Sequence, residues 1–320
     1  MAYVTLLLAR SDVTDLLDVD QLASRLRDGF RRDDEQRIAE LRARTDLPGE
    51  GTATALLPGV LPGVPAYTVK VNAKFPSADP ALRGVVCLHS LDDGALLAVL
   101  DSASLTAWRT GLAAAVATDM LAAPGAATVG IVGAGVQASV VLRGLSRIRP
   151  VSQVTVADLD PARGRRFAEQ HEPPGGPPVQ IAGTARDVLA AAQIAVFATW
   201  SREPLASLAD TRPGQHLTSL GTDEPGKREL AGDILGSATV VVDDLRLARS
   251  MGALSPPGQR PVKAATLGQV LRGEHPGRSS PDELTVYAPV GLPWQDLAIA
   301  WQVYQAARKR GRGVRVDLLA

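Results

Sequence analysis

Residues 126–138 read AATVGIVGAGVQA, and QVTVADLD follows at 153–160. The apolar β-formers Val129, Ile131 and Val132 run directly into Gly133-Ala-Gly135-Val136-Gln137-Ala138, and the apolar spacing of the next residues, through Ile148, is helical. The order is strand, tight turn, helix. Gly133 can take a conformation closed to residues with a Cβ, Gly135 lets the backbone approach a pyrophosphate, and small Ala138 lets helix pack on strand. The free N–H groups at the helix start, with Val136 and Gln137 in its first turn, suit phosphates. A second strand, 154–157, ends at Asp158, about 20 residues past the last small position, where a carboxylate can bind ribose hydroxyls. A lone glycine motif would mean no more than a turn, but this combination predicts a dinucleotide site that prefers NAD. Arg163, Arg165 and Arg166 are near enough to suit NADP, yet Asp158 and Asp160 would repel its 2′-phosphate.

The 45% hydrophobic content of this 320-residue chain is ample for a large core and for two domains. Lys plus Arg equals Asp plus Glu at 34 each, which offers no basic surface to nucleic acid or membrane and leaves a small molecule as the expected partner. Cys87 stands alone and cannot form an internal disulfide, which fits a reducing compartment. The N-terminal YVTLLLA is too short for a signal segment or a membrane span, so the expected location is cytoplasmic. His89, His171, His216 and His275 have no ligand-like spacing, and no metal is expected.

From residue 126 onward strand-like and helix-like runs alternate: VTVAD, PARGRRFAEQ, VQIAG, TARDVLAAA, IAVFAT, HLTSLG, a helix near Arg228–Leu235, and TVVVDD. That rhythm predicts a parallel sheet covered by helices on both faces, with EPPGGPP (172–178) as an exposed connection. Before it, short β-like runs (VTLLLA, AYTVKV, GVVCLHS, LLAVLD) and a helix at 19–31 suggest a mixed or antiparallel sheet. An Ala-rich helix over 105–122, with Ser102 or Ser104 as N-cap, joins the two, and DLAIAWQVYQAARKR (296–310) has the pattern of an amphipathic helix. The expected fold is therefore α/β: a Rossmann-type doubly wound parallel sheet over residues 123–292, and a smaller α+β domain over 1–122 to which 293–320 returns.

Three further stretches are TVKVNAKFP (68–76), DDGALLAVLDSASLTAWRTGLAAAVATDMLA (92–122) and SLGTDEPGKREL (219–230). With GAGVQA, in this order and spacing, they make the chain from about Arg44 to Asp296 resemble the ornithine cyclodeaminase/μ-crystallin family. The resemblance implies a homodimer whose N-terminal domain forms the subunit interface and holds the substrate. It places Lys70 beside the substrate as a catalytic and binding group, Arg109 on the α-carboxylate, Arg44 as a second substrate arginine, and Asp223 as the catalytic acid/base. Thr110, Thr199 and Gly221 fall beside the cofactor. The residues themselves are compatible with these roles. A guanidinium fork can hold both carboxylate oxygens, and Arg109 interrupts a helix of small and apolar residues where an unpaired charge is costly. Asp223 follows a predicted strand and so lies in the loop at the carboxyl end of the sheet, where such folds bind ligands, and burial against an apolar nicotinamide would fit it for proton transfer near neutrality. Without the resemblance, Lys70 would read as a solvated strand lysine, GTDEPG as a surface turn, and Thr199 equally as a structural residue.

The chain also departs from that pattern. Cyclodeaminases carry Glu in E-L-M-P to engage the distal amine of ornithine, whereas this chain has Ala55 in TALLP; Ala81 and Pro289 replace hydroxyl residues. A buried ammonium without an acceptor is expensive, so ornithine is disfavoured. The expected function is an NAD-dependent oxidoreductase passing hydride between nicotinamide and Cα of a small amino acid or its imine. The alternatives are a cyclodeaminating ammonia-lyase with catalytic NAD, and a non-catalytic nucleotide-binding protein.

Overall fold

The computed structural model describes residues 4–32, 43–78, 80–172, 174, 176–255 and 262–318. Two residues of the EPPGGPP connection, 173 and 175, lie outside them. The chain divides into two compact units, residues 1–110 with 292–320 and residues 111–291. The division falls at Thr110/Gly111, whereas the expected boundary lay after residue 122.

Unit 1 opens with β1 (Val4–Leu8), α1 (Arg10–Leu16), α2 (Val19–Arg32), β2 (Ala43–Asp46), β3 (Ala53–Val60), β4 (Ala66–Lys74), β5 (Leu82–Ser90) and β6 (Leu96–Asp101), then enters α3 (Ser102–Leu121). Unit 2 carries β7 (Thr128–Val132), α4 (Val136–Ile148), β8 (Gln153–Ala157), α5 (Pro161–His171), β9 (Val179–Ile181), α6 (Ala185–Ala191), β10 (Ile194–Phe197), β11 (His216–Ser219), α7 (Gly232–Ser237), β12 (Thr239–Val242), α8 (Leu245–Ser250), β13 (Ala264–Thr266), α9 (Leu267–Leu271) and β14 (Thr285–Tyr287). Unit 1 is completed by α10 (Pro293–Arg310) and β15 (Val314–Asp317).

The sheet of unit 1 has the order β15-β1-β6-β5-β4-β3-β2, antiparallel except where β1 meets β6. Its strands alternate, as a sheet covered on one face must. Ala66, Thr68 and Lys70 of β4 are buried with Val86 and Leu88 of β5, while Leu56, Val71 and Val85 form a cross-strand row of exposed apolar side chains on the other face. Helix α10 packs on the buried side, and a Cβ at Gly59 would overlap the Pro293 carbonyl. The amphipathic expectation for 296–310 holds from Trp301 onward, where Gln305, Arg308, Lys309 and Arg310 are exposed, but needs correction before it, because Pro293–Ala300 is buried at every position. Strands β3–β5 cover one side of it and α2 the other, with Phe30 and Trp294 edge to face at 5.0 Å. The cap of α3 also differs from expectation. Asp101, rather than a serine, receives the Ser104 amide at 2.8 Å and its hydroxyl at 2.6 Å, since one carboxylate oxygen can accept both.

The sheet of unit 2 is parallel throughout, in the order β13-β12-β14-β11-β10-β7-β8-β9. Strands β7, β8, β10, β11 and β12 are buried along almost their whole length; β7, β10 and β12 accordingly read as nearly continuous apolar runs, while β8 and β11 bury the polar Thr155, His216, Thr218 and Ser219 as well. The chain leaves β7 toward β8 and β9, then returns to the other side of β7 with β10, making the reversal point where doubly wound sheets bind dinucleotides. The helix expected near Arg228–Leu235 begins only at Gly232, because the Leu205 N–H donates to the Glu229 carbonyl and Leu230 bridges Ala206 as a strand would.

Candidate active site

Unit 2 supplies the nucleotide features. Gly133 has φ +93°, and a Cβ there would come within 2.6 Å of the Ala198 carbonyl oxygen, so glycine is required twice over. Gly135 is the N-cap of α4 in extended backbone with no side-chain cap, and a Cβ on it would meet nothing within 4 Å. The start of α4 thus presents uncapped amides to open space, room that a pyrophosphate would fill. Val136 is exposed, Ala138 is buried against the sheet, and Gln137 has its Oε1 buried without a hydrogen-bond partner. The Asp158 carboxylate accepts from the Ala134 amide at 2.7 Å and the Asp160 amide at 2.8 Å, one bond to each oxygen. Each oxygen keeps acceptor capacity for a ribose hydroxyl. Arg163 is drawn to Asp160, 3.8 Å away. The residues present therefore fit NAD.

The sequence around Asp223 folds by a specific device. Pro225-Gly226, with Gly226 at φ +80° and the Lys227 amide bonded to the Glu224 carbonyl, makes a type II turn that folds Lys227 back over Asp223. The buried Lys227 ammonium donates to Asp223 at 2.7 Å and lies 3.7 Å from Glu224, while the Asp223 side chain is 43% exposed. The apolar enclosure expected for Asp223 is thus replaced by a half-open ion pair.

Beneath this turn is Glu229, which the sequence reading missed. Fully buried, it accepts the Thr199 amide and hydroxyl (2.6 and 2.8 Å), the Ser219 hydroxyl (2.7 Å) and the Gly221 amide (2.8 Å). It ties the end of β10 to the end of β11 and so fixes the loop carrying Asp223. Burial pushes its carboxyl above the usual range, opposed by these bonds. Thr199 therefore gives its hydroxyl to Glu229. Gly221 is crowded by the Thr199 carbonyl and the Glu229 carboxylate, which leaves no room for a side chain. Asp243, pushed up likewise by burial, holds the Val290 and Gly291 amides and anchors the loop after β14 that contains Pro289.

Unit 1 supplies a charged cluster. Lys70 on β4 and Arg109 on α3 converge on Asp296 of α10. Lys70 Nζ lies 2.6 Å from Oδ2, Arg109 Nε lies 3.3 Å from Oδ1, and Arg109 Nη1 donates to Gln295 at 3.2 Å. Lys70 and Asp296 are each 2% exposed. Neither Asp296 nor Gln295 was singled out from sequence; the available signal was a polar pair at the start of a helix whose next residues are apolar. Arg44 lies on strand β2 and pairs with Asp46 at 3.0 Å. Thr110 follows Arg109 on α3, half-buried. Strand register joins Arg44, Ala55, Asn72 and Gly84 in one row, and Ala55 shares the Lys70 face through its neighbours Asn72 and Leu57. Among the described residues no group of His, Cys, Asp and Glu is placed to hold a metal ion, and no helix is long and apolar enough to cross a membrane.

A doubly wound nucleotide-binding unit joined to a unit with a buried lysine–arginine cluster defines the class. The chain belongs to the ornithine cyclodeaminase/mu-crystallin family, whose model matches residues 3–311. It is 30% identical over 320 residues to the alanine dehydrogenase of Archaeoglobus fulgidus, covering 98% of each chain. Its fold matches an archaeal alanine dehydrogenase dimer with bound NAD (TM-score 0.87, 27% identity, 99% of this chain and 100% of that one). It also matches the Thermococcus litoralis Delta(1)-pyrroline-2-carboxylate reductase in complex with NADH and L-proline (TM-score 0.92, 27% identity, 98% and 100%).

Proposed function

We propose that the chain is an NAD-dependent oxidoreductase acting at a C–N bond, interconverting a small amino acid and its α-imino acid. The observation that carries this reading is the inward face of unit 1, where Lys70 and Arg109 are buried together while the adjoining row Arg44, Ala55, Asn72, Gly84 contains no acid. Such a face suits one carboxylate, and its acids, Asp296 and Asp46, are already engaged by Lys70 with Arg109 and by Arg44, which favours a dehydrogenase or imine reductase over a diamino-acid cyclodeaminase.

NAD, when bound, supplies the hydride acceptor, and NADH the donor in the reverse direction. Arg109 and Lys70 bind the α-carboxylate, fixing Cα and its nitrogen. Asp223 accepts the proton from that nitrogen during oxidation and returns it during imine reduction; Lys227 holds the carboxylate in place. Gly133, Gly135, Val136, Gln137 and Ala138 form the pyrophosphate loop, Asp158 binds ribose, and Thr110, Thr199 and Gly221 border the cofactor. The exposed row Leu56, Val71, Val85 supports a homodimer, consistent with the archaeal relative described as a dimer. The lone Cys87 fits a cytoplasmic location.

The test follows nicotinamide absorbance with excess NAD and a panel of alanine, 2-aminobutyrate, proline, lysine and ornithine. Sustained NADH formation with any of them supports the oxidoreductase. Ammonia release from ornithine or lysine without NADH accumulation replaces it by cyclodeamination.

A further inference from the structure

Among the described residues, the buried charged side chains of unit 1 are Lys70, Arg109 and Asp296, two cations sharing one carboxylate. The sharing is unequal. Oδ2 of Asp296 is at hydrogen-bonding distance from Lys70 Nζ, whereas its Oδ1 and Arg109 Nε, 3.3 Å apart, are both buried without a hydrogen-bond partner. The hydrogen bond that Arg109 does make goes to the neutral Gln295. Asp296 is held at hydrogen-bonding distance by Lys70 and more loosely by Arg109, and its single charge leaves one positive charge in excess where burial makes excess charge costly.

We propose that Asp296 is a specificity-determining residue. By cancelling one of the two cations it sets the charge of the cluster at one, so that the chain takes amino or imino acids with a single carboxylate and discriminates against dicarboxylates. This rests on the proposed function, with Lys70 and Arg109 as the carboxylate-holding pair. A monocarboxylate completes the charge balance and gives Arg109 the planar acceptor its fork fits. A second carboxylate would meet Asp296, with Arg44 of the adjoining row already paired to Asp46, and like charges brought together in such surroundings repel strongly. Asp296→Asn keeps the shape and removes the charge, leaving two cations for two carboxylates.

The experiment measures kcat/KM for 2-aminobutyrate and for aspartate in the wild-type chain, Asp296→Asn and Asp296→Glu. The expected result is that Asp296→Asn raises the aspartate-to-2-aminobutyrate ratio by about tenfold or more, while Asp296→Glu keeps the wild-type ratio even if its kcat falls. Equal changes for both substrates in Asp296→Asn overturn the proposal, since a purely structural role scales both alike. A second measurement needs no turnover: calorimetric titration of the full chain with propionate and with succinate. A shift toward succinate in Asp296→Asn supports the charge-setting role, and an unchanged preference overturns it. If that shift is seen while no amino acid of the panel yields NADH, the oxidoreductase reading fails and the role of Asp296 stands.

Discussion

In unit 2 the ligand-facing features from Gly133 to Ala138 are properties of the backbone: a positive φ, an uncapped helix start and amides aimed outward. In unit 1 they are side chains brought together from distant segments, as when Arg109 of α3 meets Gln295 of α10 across 186 residues of chain. The backbone site is compact in sequence and is least tolerant of change at Gly133, where a side chain has neither room nor an allowed conformation. The side-chain site is spread over β4, α3 and α10, and any one of its charges depends on the other two. On the proposed reading, nucleotide binding is built into a local motif, whereas choice of substrate is left to tertiary packing, where single substitutions can alter it.

The largest expected effect breaks chemistry while leaving both kinds of binding intact. Asp223→Asn keeps the size of the side chain but removes the proton acceptor, so kcat should fall by about 10²–10⁴-fold. Calorimetric titration should show NAD and propionate binding unchanged. Full turnover in this variant would remove Asp223 from the mechanism.

Next comes a change directed at the backbone site alone. Gly133→Val forces a branched residue to φ +93° against the Ala198 carbonyl. The conformation alone costs about 1–3 kcal/mol, and NAD should bind about tenfold more weakly or worse. Carboxylate binding by Lys70 and Arg109 should persist. Loss of both affinities together would show that the two regions are not separable as drawn.

A third prediction tests the polar core of unit 2, which neither region uses directly. The fully buried His216 bonds Thr285 and Thr218 at 2.9 Å each, and the Thr285 hydroxyl continues to the carbonyl of Leu121 at the end of α3. With that hydroxyl's proton given to Leu121, the imidazole carries its own proton on Nδ1 and stays neutral. Burial first, then the nearby Arg278 and Arg149, push its pKa down to about 3. The unfolded chain, titrating near the ordinary histidine value, therefore binds the extra proton first as pH falls, and stability is lost from about pH 6.5 downward. Glu229 and Asp243, whose raised carboxyls take up protons in the folded chain, work in the opposite direction. Comparison with His216→Asn cancels them. Between pH 7 and pH 5 the wild-type chain should lose about 2 kcal/mol more than the variant in urea unfolding, and equal losses would mean that His216 is not held neutral.

The same contrast explains what the sequence disclosed. The parallel sheet, the glycine turn and Asp158 were legible because each is a local pattern: buried β-branched runs, residues that permit a positive φ, a carboxylate at a set spacing. Glu229 was not, since GKREL reads as the approach to a helix and only the fold shows four donors converging on it. Asp296 was hidden for a similar reason. An acid in the first turn of a helix is ordinarily there to complement the helix dipole, and nothing in QDLA reveals that Lys70 lies opposite. Arg44 was named only through its motif, and the fold adds what the motif could not: its place on β2 in the row of Ala55, paired with Asp46.

Asp158 offers the smallest and finest test, because it joins the two modes of construction. Its side chain binds the Ala134 amide inside the glycine loop and the Asp160 amide beyond β8, so a side chain holds the backbone site in register. Asp158→Asn retains one acceptor oxygen but trades the other for a donor that faces an amide. One charged hydrogen bond to ribose is lost, worth about 1.5 kcal/mol, which is about a tenfold weaker affinity for NAD. NADP affinity should rise relative to NAD, because the charge that repels a 2′-phosphate is gone while Arg163, Arg165 and Arg166 remain nearby in sequence. Fluorescence titration with both reduced nucleotides measures the ratio. An NAD-to-NADP preference that survives the substitution would place the discrimination in the loop backbone rather than in Asp158.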